Sequence, residues 1–158
     1  MSDAESAPSD AQVKRFTYLS PMLDSALFEM REFAKKKQDG IISKTKTRLL
    51  NRLLTDVQGV LQGEASITYL ENLSEEELPQ NSDAVLILGQ YRAALDSFKE
   101  RNYRWVSGGK AWITKEWIEE NEGQLEEDDD GVDDDDEEED EGDDGQDEEE
   151  IGTEEDKS

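Results

Sequence analysis

The fold is decided by residues 20–63, which read SPMLDSALFEMREFAKKKQDGIISKTKTRLLNRLLTDVQGVLQG. Ser20 is a suitable N-cap, and Pro21 fits the first helical position, where a missing N–H costs nothing. Apolar residues then recur at the spacing of one helix face: Leu23, Ala26, Leu27, Met30, Phe33 and Ala34. The pattern predicts an amphipathic helix that begins at Ser20 and ends before Gly40.

A second helix is predicted directly after the first one. Ser43 is its candidate cap, and the stripe that follows continues until Gly63: Leu49, Leu50, Leu53, Leu54, Val57, Val60 and Leu61. Because only a short connection separates the two stripes, the helices are expected to form an antiparallel helical hairpin.

A third long helix is predicted to be capped by Ser82. Residues 84–88 are apolar on all sides of this helix, whereas a single stripe resumes from Tyr91 to Phe98. The first two turns are therefore expected to be either the most buried part of the protein or a face that meets a partner.

After Arg101 the sequence pattern changes from helix to strand. Two stretches rich in aromatic and β-branched residues, 103–107 and 111–114, flank a Gly-Gly pair and predict a small β-hairpin. Such a hairpin is marginal alone and should pack on the helices, and Thr114 can cap a last short helix. The predicted fold class is mainly α, a small helical bundle over residues 14–124 with a hairpin near 103–114.

The charge of the chain divides it into two parts. The whole sequence has 43 Asp and Glu against 17 Lys and Arg, a net charge of −26. Residues 1–119 hold 18 acidic and 16 basic residues, whereas residues 120–158 hold 25 acidic residues and only Lys157. Because like charges repel and few apolar residues are present, residues 125–158 are predicted to be a disordered acidic tail, and residues 1–13 a disordered leader.

Composition excludes several function classes. The chain has no Cys and no His, so thiolate nucleophiles, thiolate zinc sites and the commonest general base are absent. We therefore expect no enzyme, no cofactor and no metal site; EF-hand-like spacings in the tail begin with Glu, and no amphipathic helix follows them. No apolar run is long enough for a membrane span, which favours a soluble protein of a reducing compartment, cytoplasm or nucleus/nucleoid.

A cluster of basic residues is the first candidate site. Seven positive charges fall within 18 residues at the predicted tip of the helical hairpin: Lys35, Lys36, Lys37, Lys44, Lys46, Arg48 and Arg52. Lys44, Arg48 and Arg52 follow at four-residue spacing and share one helix face. The cluster is either an ordinary solvated surface with dipole-compensating lysines or a surface for nucleic-acid phosphates or an acidic protein.

An aromatic cluster is the second candidate site. It comprises Tyr103, Trp105, Trp112 and Trp117, with basic residues interleaved among them. These side chains either stack on single-stranded nucleic acid or pack the small hairpin against the helices.

The acidic tail is the feature most informative about function. Its carboxylate density resembles that of a nucleic-acid backbone, so it can compete for a basic surface; the alternative is a tail that only confers solubility. The first hypothesis is a non-enzymatic regulatory protein whose helical domain docks a protein or self-associates, while its tail engages or shields a basic or nucleic-acid-binding protein. The second is a nucleic-acid-binding subunit of a replication, packaging or transcription assembly that uses the basic cluster, with the tail as autoinhibitor.

Overall fold

Three long helices form the bundle in the computed structural model, which describes residues 3–122. The elements follow in the order α1 Asp3–Ser6, α2 Asp10–Lys36, α3 Lys44–Val60, a 3-10 helix Ala65–Tyr69, α4 Asn81–Asn102, β1 Tyr103–Val106, β2 Gly109–Trp112 and α5 Lys115–Glu120. The predicted mainly α bundle with a short aromatic hairpin is confirmed. The predicted disordered tail, residues 125–158, lies outside the described residues.

Helix α2 begins well before the predicted start at Ser20. Ser9 is its N-cap: the Ser9 hydroxyl accepts from the Gln12 N–H, and the Ser9 N–H donates to the Gln12 side chain. Pro21 therefore lies inside the helix. Apolar side chains before and after it keep one buried stripe, which holds the helix together although proline removes one donor; the buried residues of α2 are Phe16, Leu19, Leu23, Leu27 and Met30.

The prediction of a disordered leader is wrong for residues 3–13. Ala7 is buried in a small cluster with Ile113 and Ile118, and the Pro8 carbonyl accepts from the backbone N–H of Lys115 at 2.9 Å. These contacts join parts of the chain that are far apart in sequence. Local composition therefore could not indicate them.

Helices α2 and α3 form the predicted antiparallel hairpin. The Gln12 side chain, near the start of α2, donates to the Val60 carbonyl at the end of α3 over 3.1 Å. At the other end, the Lys46 ammonium lies 4.4 Å from the centre of the Phe33 ring. The predicted cap of α3 is confirmed, because the Ser43 hydroxyl accepts from the Lys46 N–H.

Helix α4 runs antiparallel to α2 and covers its buried stripe. Phe98, near the end of α4, packs on Phe16 near the start of α2, with ring centres 5.7 Å apart. The N-cap is Gln80 rather than the predicted Ser82, because the Asp83 carboxylate accepts from the Gln80 N–H. Burial runs along the whole helix instead of being greatest in its first turns: Ala84, Leu88, Tyr91, Ala94, Leu95, Phe98 and Asn102 are buried.

The β-hairpin and α5 close the end of the bundle at which α2 begins. The strands pair antiparallel, with Tyr103 opposite Trp112 and Val106 opposite Gly109. Gly108, in the turn between them, has a φ of +98°, a conformation that favours glycine. Thr114 caps α5 as predicted, since its hydroxyl accepts from the Trp117 N–H at 3.1 Å.

Candidate interaction surfaces

The seven predicted basic residues surround the connection between α2 and α3. We call this surface the basic tip; it comprises the last turn of α2, the loop that follows and the first half of α3, and all seven of its basic side chains are exposed: Lys35, Lys36, Lys37, Lys44, Lys46, Arg48 and Arg52. The buried face of α3, with Thr47 and Leu54, points into the core. The charges therefore face solvent at one end of the bundle.

Hydrogen bonds to the start of α4 fix the loop of the basic tip. The Asn81 side-chain amide donates to the Lys37 carbonyl at 2.9 Å, and the Asn81 N–H donates to the Gly40 carbonyl at 2.8 Å. The Ile42 N–H donates to the Pro79 carbonyl at 2.9 Å. Backbone groups at the tip are thus paired by a third segment of the chain, which holds the lysines on a defined scaffold.

Most of the positive charge of the basic tip is unpaired within residues 3–122. Lys35 forms an ion pair with Glu32 at 2.7 Å, and this hydrogen bond, together with the charge of Lys35, lowers the pKa of Glu32. Lys46 lies over the Phe33 ring, a cation–π contact. The described part of the chain supplies no ion pair to the six other cations, so they are open to an external anion.

The four predicted aromatic residues do not form one exposed surface. The ring of Trp112 packs against the rings of Phe16, Tyr103 and Phe98, with centres 5.1, 5.3 and 5.9 Å away. Trp117 instead packs on the separate small cluster of Ala7, Ile113 and Ile118. Packing against the helices, the second of the two interpretations, therefore accounts for Trp112 and Trp117.

Trp105 is the aromatic residue of this set that stays open to solvent, with 74% of its surface exposed. It pairs across the hairpin with Lys110, whose ammonium lies 5.7 Å from the ring centre. Directly opposed residues share a face, and faces alternate along a strand. Tyr103 and Trp112 therefore lie on the same face of the hairpin as Trp105 and Lys110. The hairpin thus offers a single open ring beside one lysine.

Exposed apolar residues on α2 are a surface that the sequence patterns missed. Tyr18, Met22 and Phe28 have 52%, 54% and 64% of their surfaces exposed. Tyr18 lies before the predicted helix start, and Met22 lies outside the predicted stripe. Because α2 begins at Asp10, the four-residue spacing of Tyr18 and Met22 places both side chains on one helix face. That spacing is the sequence signal for this surface.

Cavities, acidic clusters and apolar helices are the remaining features of the described residues that bear on a site. Two cavities near Gly63 have volumes of about 160 and 170 Å³, below the roughly 300 Å³ of a small-molecule pocket. Residues 3–122 contain no group of three or more acidic side chains placed to hold a metal ion. No helix in this part of the chain is long and apolar enough to cross a membrane.

The buried hydroxyl of Tyr91 has a structural role. It accepts from the Gln58 side chain at 2.6 Å and donates to the Asn72 side chain at 3.0 Å. Burial raises the pKa of Tyr91 above its ordinary value, and a phenol is already protonated near neutral pH at that ordinary value. The hydroxyl therefore joins α3, α4 and the segment between them instead of serving as a base.

Comparison of the chain with models of known families, with curated proteins and with solved structures found no significant match.

Proposed function

We propose that this protein is a non-enzymatic regulatory factor that binds the basic surface of a nucleic-acid-binding protein through its C-terminal polyanion. The observation that carries the proposal is the distribution of charge: residues 123–158 hold 23 carboxylates and one lysine. A segment of that charge density competes with nucleic-acid phosphates for the same cations on a partner.

The helical domain provides a second point of attachment in this proposal. Tyr18 and Met22 form an exposed apolar stripe on α2, and Leu86, on the outer side of α4, has 65% of its surface exposed. Apolar side chains of this kind favour docking on a protein or on a second copy of this chain. Binding through the domain would hold the polyanion near the partner's basic surface and raise its local concentration.

Two features support a non-enzymatic role. The sequence lacks His and Cys, and most of the titratable side chains among residues 5–122 are exposed to solvent. The volumes of the cavities near Gly63 are also too small to enclose a substrate of ordinary size.

The proposal is tested with a full-length variant in which every Asp is changed to Asn and every Glu to Gln between residues 126 and 156. Affinity capture from native lysate at about 50 and 300 mM salt, where screening differs strongly, compares this variant with the unmodified protein. We expect the unmodified protein to retain basic nucleic-acid-binding proteins that duplex DNA releases, and the neutralised variant to lose them.

A matched control permutes the residues of the same segment and keeps its charge. It should capture the same basic proteins, because the polyanion acts through charge density rather than through a specific sequence. Equal capture of those proteins by the neutralised variant would contradict the proposal.

A second function is favoured by the open cations of the basic tip: binding of nucleic-acid phosphates by the tip itself. Here Lys44→Glu, Arg48→Glu and Arg52→Glu together should weaken binding of a fluorescent DNA duplex and reduce the salt slope of log K by about 3. The measurement is made in the tail-neutralised variant, with Lys14→Glu, Lys99→Glu and Lys115→Glu as the matched control. Unchanged binding after reversal at the tip would exclude this function.

A further inference from the structure

The basic tip and helix α5, which precedes the acidic segment, lie at opposite ends of the bundle. Helix α5, which leads into that segment, packs through Ile118 on Ala7, just before α2 begins. The basic tip surrounds the end of α2. Because α2 has 27 residues and a helix rises 1.5 Å per residue, the two ends are about 40 Å apart.

This distance determines which carboxylates can reach the tip of the same molecule. An extended chain spans at most about 3.3–3.6 Å per residue, so about 12 residues beyond Glu122 are needed to cover about 40 Å. Residues 134–156 meet that condition and contain 17 carboxylates. The carboxylates of residues 126–130 are at most eight residues beyond Glu122, about 29 Å of extended chain, and cannot reach the lysines at the end of α2.

Charge complementarity identifies the tip as the matching surface. Between Phe33 and Arg52 the sequence has seven basic residues and one acidic residue, Asp39. Glu75, in the acidic run 75–77, accepts a long hydrogen bond from the Asn51 side chain at 3.4 Å, and within the described residues this run forms no ion pair with the basic tip. Six of the seven cations have no ion pair among residues 3–122.

We propose that residues 134–156 dock on the basic tip of their own molecule, so that the tip competes with an external basic partner for these carboxylates. This inference rests on the proposed function, and it names the regulation of that same polyanion. A tethered segment has an effective concentration of about a millimolar, so many weak ion pairs suffice for closure. Since the exposed charges are screened over about 8 Å at physiological ionic strength, added salt opens the closed form.

Zero-length crosslinking of the full chain tests the contact directly. A carbodiimide joins a lysine to a carboxylate only when the two are in contact, and mass spectrometry locates the joined residues. We expect Lys36, Lys37, Lys44 and Lys46 to be joined to carboxylates of residues 134–156 at about 50 mM salt and to lose these links at about 500 mM.

A mixture of ¹⁵N-labelled and unlabelled protein distinguishes contact within one molecule from contact between two. Links confined to one isotopic species support the proposal. Links between species, or links from residues 134–156 chiefly to the lysines near the hairpin, Lys14, Lys99, Lys110 and Lys115, would overturn it.

The effect on partner binding is measured with a fluorescent oligolysine peptide as the probe. The full-length variant Lys36→Gln, Lys37→Gln, Lys44→Gln and Lys46→Gln should bind the peptide about two- to tenfold more tightly, because apparent affinity scales with the open fraction of the polyanion. The matched control Lys14→Gln, Lys99→Gln, Lys110→Gln and Lys115→Gln removes the same charge nearer to α5 and should leave the affinity unchanged.

Failure of the two proposals gives different results with the same probe. If the tip variant and the control bind the peptide equally, closure on the tip is wrong while the polyanion still acts as the binding segment. If the tail-neutralised protein binds the peptide as tightly as the unmodified protein does, the proposed function itself is wrong.

Discussion

The two ends of the bundle are stabilised in different ways. The hairpin end is packed by four aromatic rings, Phe16, Phe98, Tyr103 and Trp112, whose centres lie 5.1–5.9 Å apart. At the basic tip, backbone and amide groups are tied by hydrogen bonds, and the long side chains are left to solvent. Apolar burial stabilises without regard to direction, whereas hydrogen bonds fix geometry at a small net gain. We therefore expect substitutions at the hairpin end to change the stability of the fold most, and substitutions at the basic tip to change mainly the charge that is exposed to solvent.

The largest expected effect is at the hairpin end. Trp112→Ala removes three ring contacts and should lower the free energy of unfolding by about 3 kcal/mol, measured by urea denaturation. Trp105→Ala, on the same face but 74% exposed, is the matched control and should change it by less than about 0.5 kcal/mol. Equal losses in the two variants would mean that ring packing does not stabilise this end.

A smaller loss is expected where α3 is tied to the segment before α4. Asn51 is buried; its amide donates to the Leu73 carbonyl, and its carbonyl accepts from the Leu73 N–H, both at 2.8 Å. Asn51→Ala leaves both backbone groups unpaired and should cost about 2 kcal/mol in the same urea assay. Thr55→Ala, one turn later and exposed, should cost under about 0.5 kcal/mol. An equally small loss for Asn51→Ala would show that its two hydrogen bonds to Leu73 do not stabilise the fold.

At the loop of the basic tip, the expected loss is about 1 kcal/mol. A Cβ on Gly40 would lie 2.7 Å from the Asn81 side-chain amide nitrogen, so Gly40→Ala should displace that amide from the Lys37 carbonyl. Gly89, inside α4, has open space around the same position, and Gly89→Ala should instead stabilise by about 0.5–1 kcal/mol. Thermal unfolding of both variants shows whether each substitution raises or lowers the stability. A stabilised Gly40→Ala protein would show that the hydrogen bond from Asn81 to the Lys37 carbonyl does not stabilise the loop.

The smallest effect concerns the exposed ion pair of α2. Lys35 lowers the pKa of Glu32 in the folded protein, so this pair stabilises above the unfolded-state pKa of the carboxyl and is lost as the pH falls through the folded value. Lys35→Gln should raise the pKa of Glu32 back towards its ordinary value, as followed by NMR titration of the Glu32 side chain. A pKa of Glu32 that is unchanged in Lys35→Gln would exclude the ion pair.

Local signals predicted the parts of the fold that depend on neighbours in sequence. Within the predicted α3 stripe, Leu54, Val57 and Val60 are buried, whereas Leu49 is exposed. The caps Ser43 and Thr114 were predicted correctly because capping involves residues within a few positions of one another. The start of α2 was not, since Pro21 has the same preference for a first turn whether or not the helix continues upstream.

The candidate surfaces show the same division. The basic residues surround one end because they fall on either side of a single short loop. Strand register pairs Trp112 with Tyr103, and Trp112 also contacts the rings of Phe16 and Phe98, whereas Trp105 lies on the same face nearer the turn and is exposed. No local pattern specifies which of these rings the helices cover. Exposure of Tyr18 and Met22 likewise depends on which face of α2 its neighbours cover.

The contact between α5 and the start of α2 has a consequence for synthesis. The Asp10 N–H donates to the Glu116 carboxylate over a separation of 106 positions, and the Pro8 carbonyl accepts from Lys115. During translation, residues 7–10 must therefore wait until residues 113–118 have left the ribosome, whereas the hairpin of α2 and α3 needs only nearby sequence. Contacts between residues so far apart in sequence form slowly. The end of the bundle that carries the β-hairpin and α5 should therefore fold last and should be the part that is still unfolded when a chaperone binds.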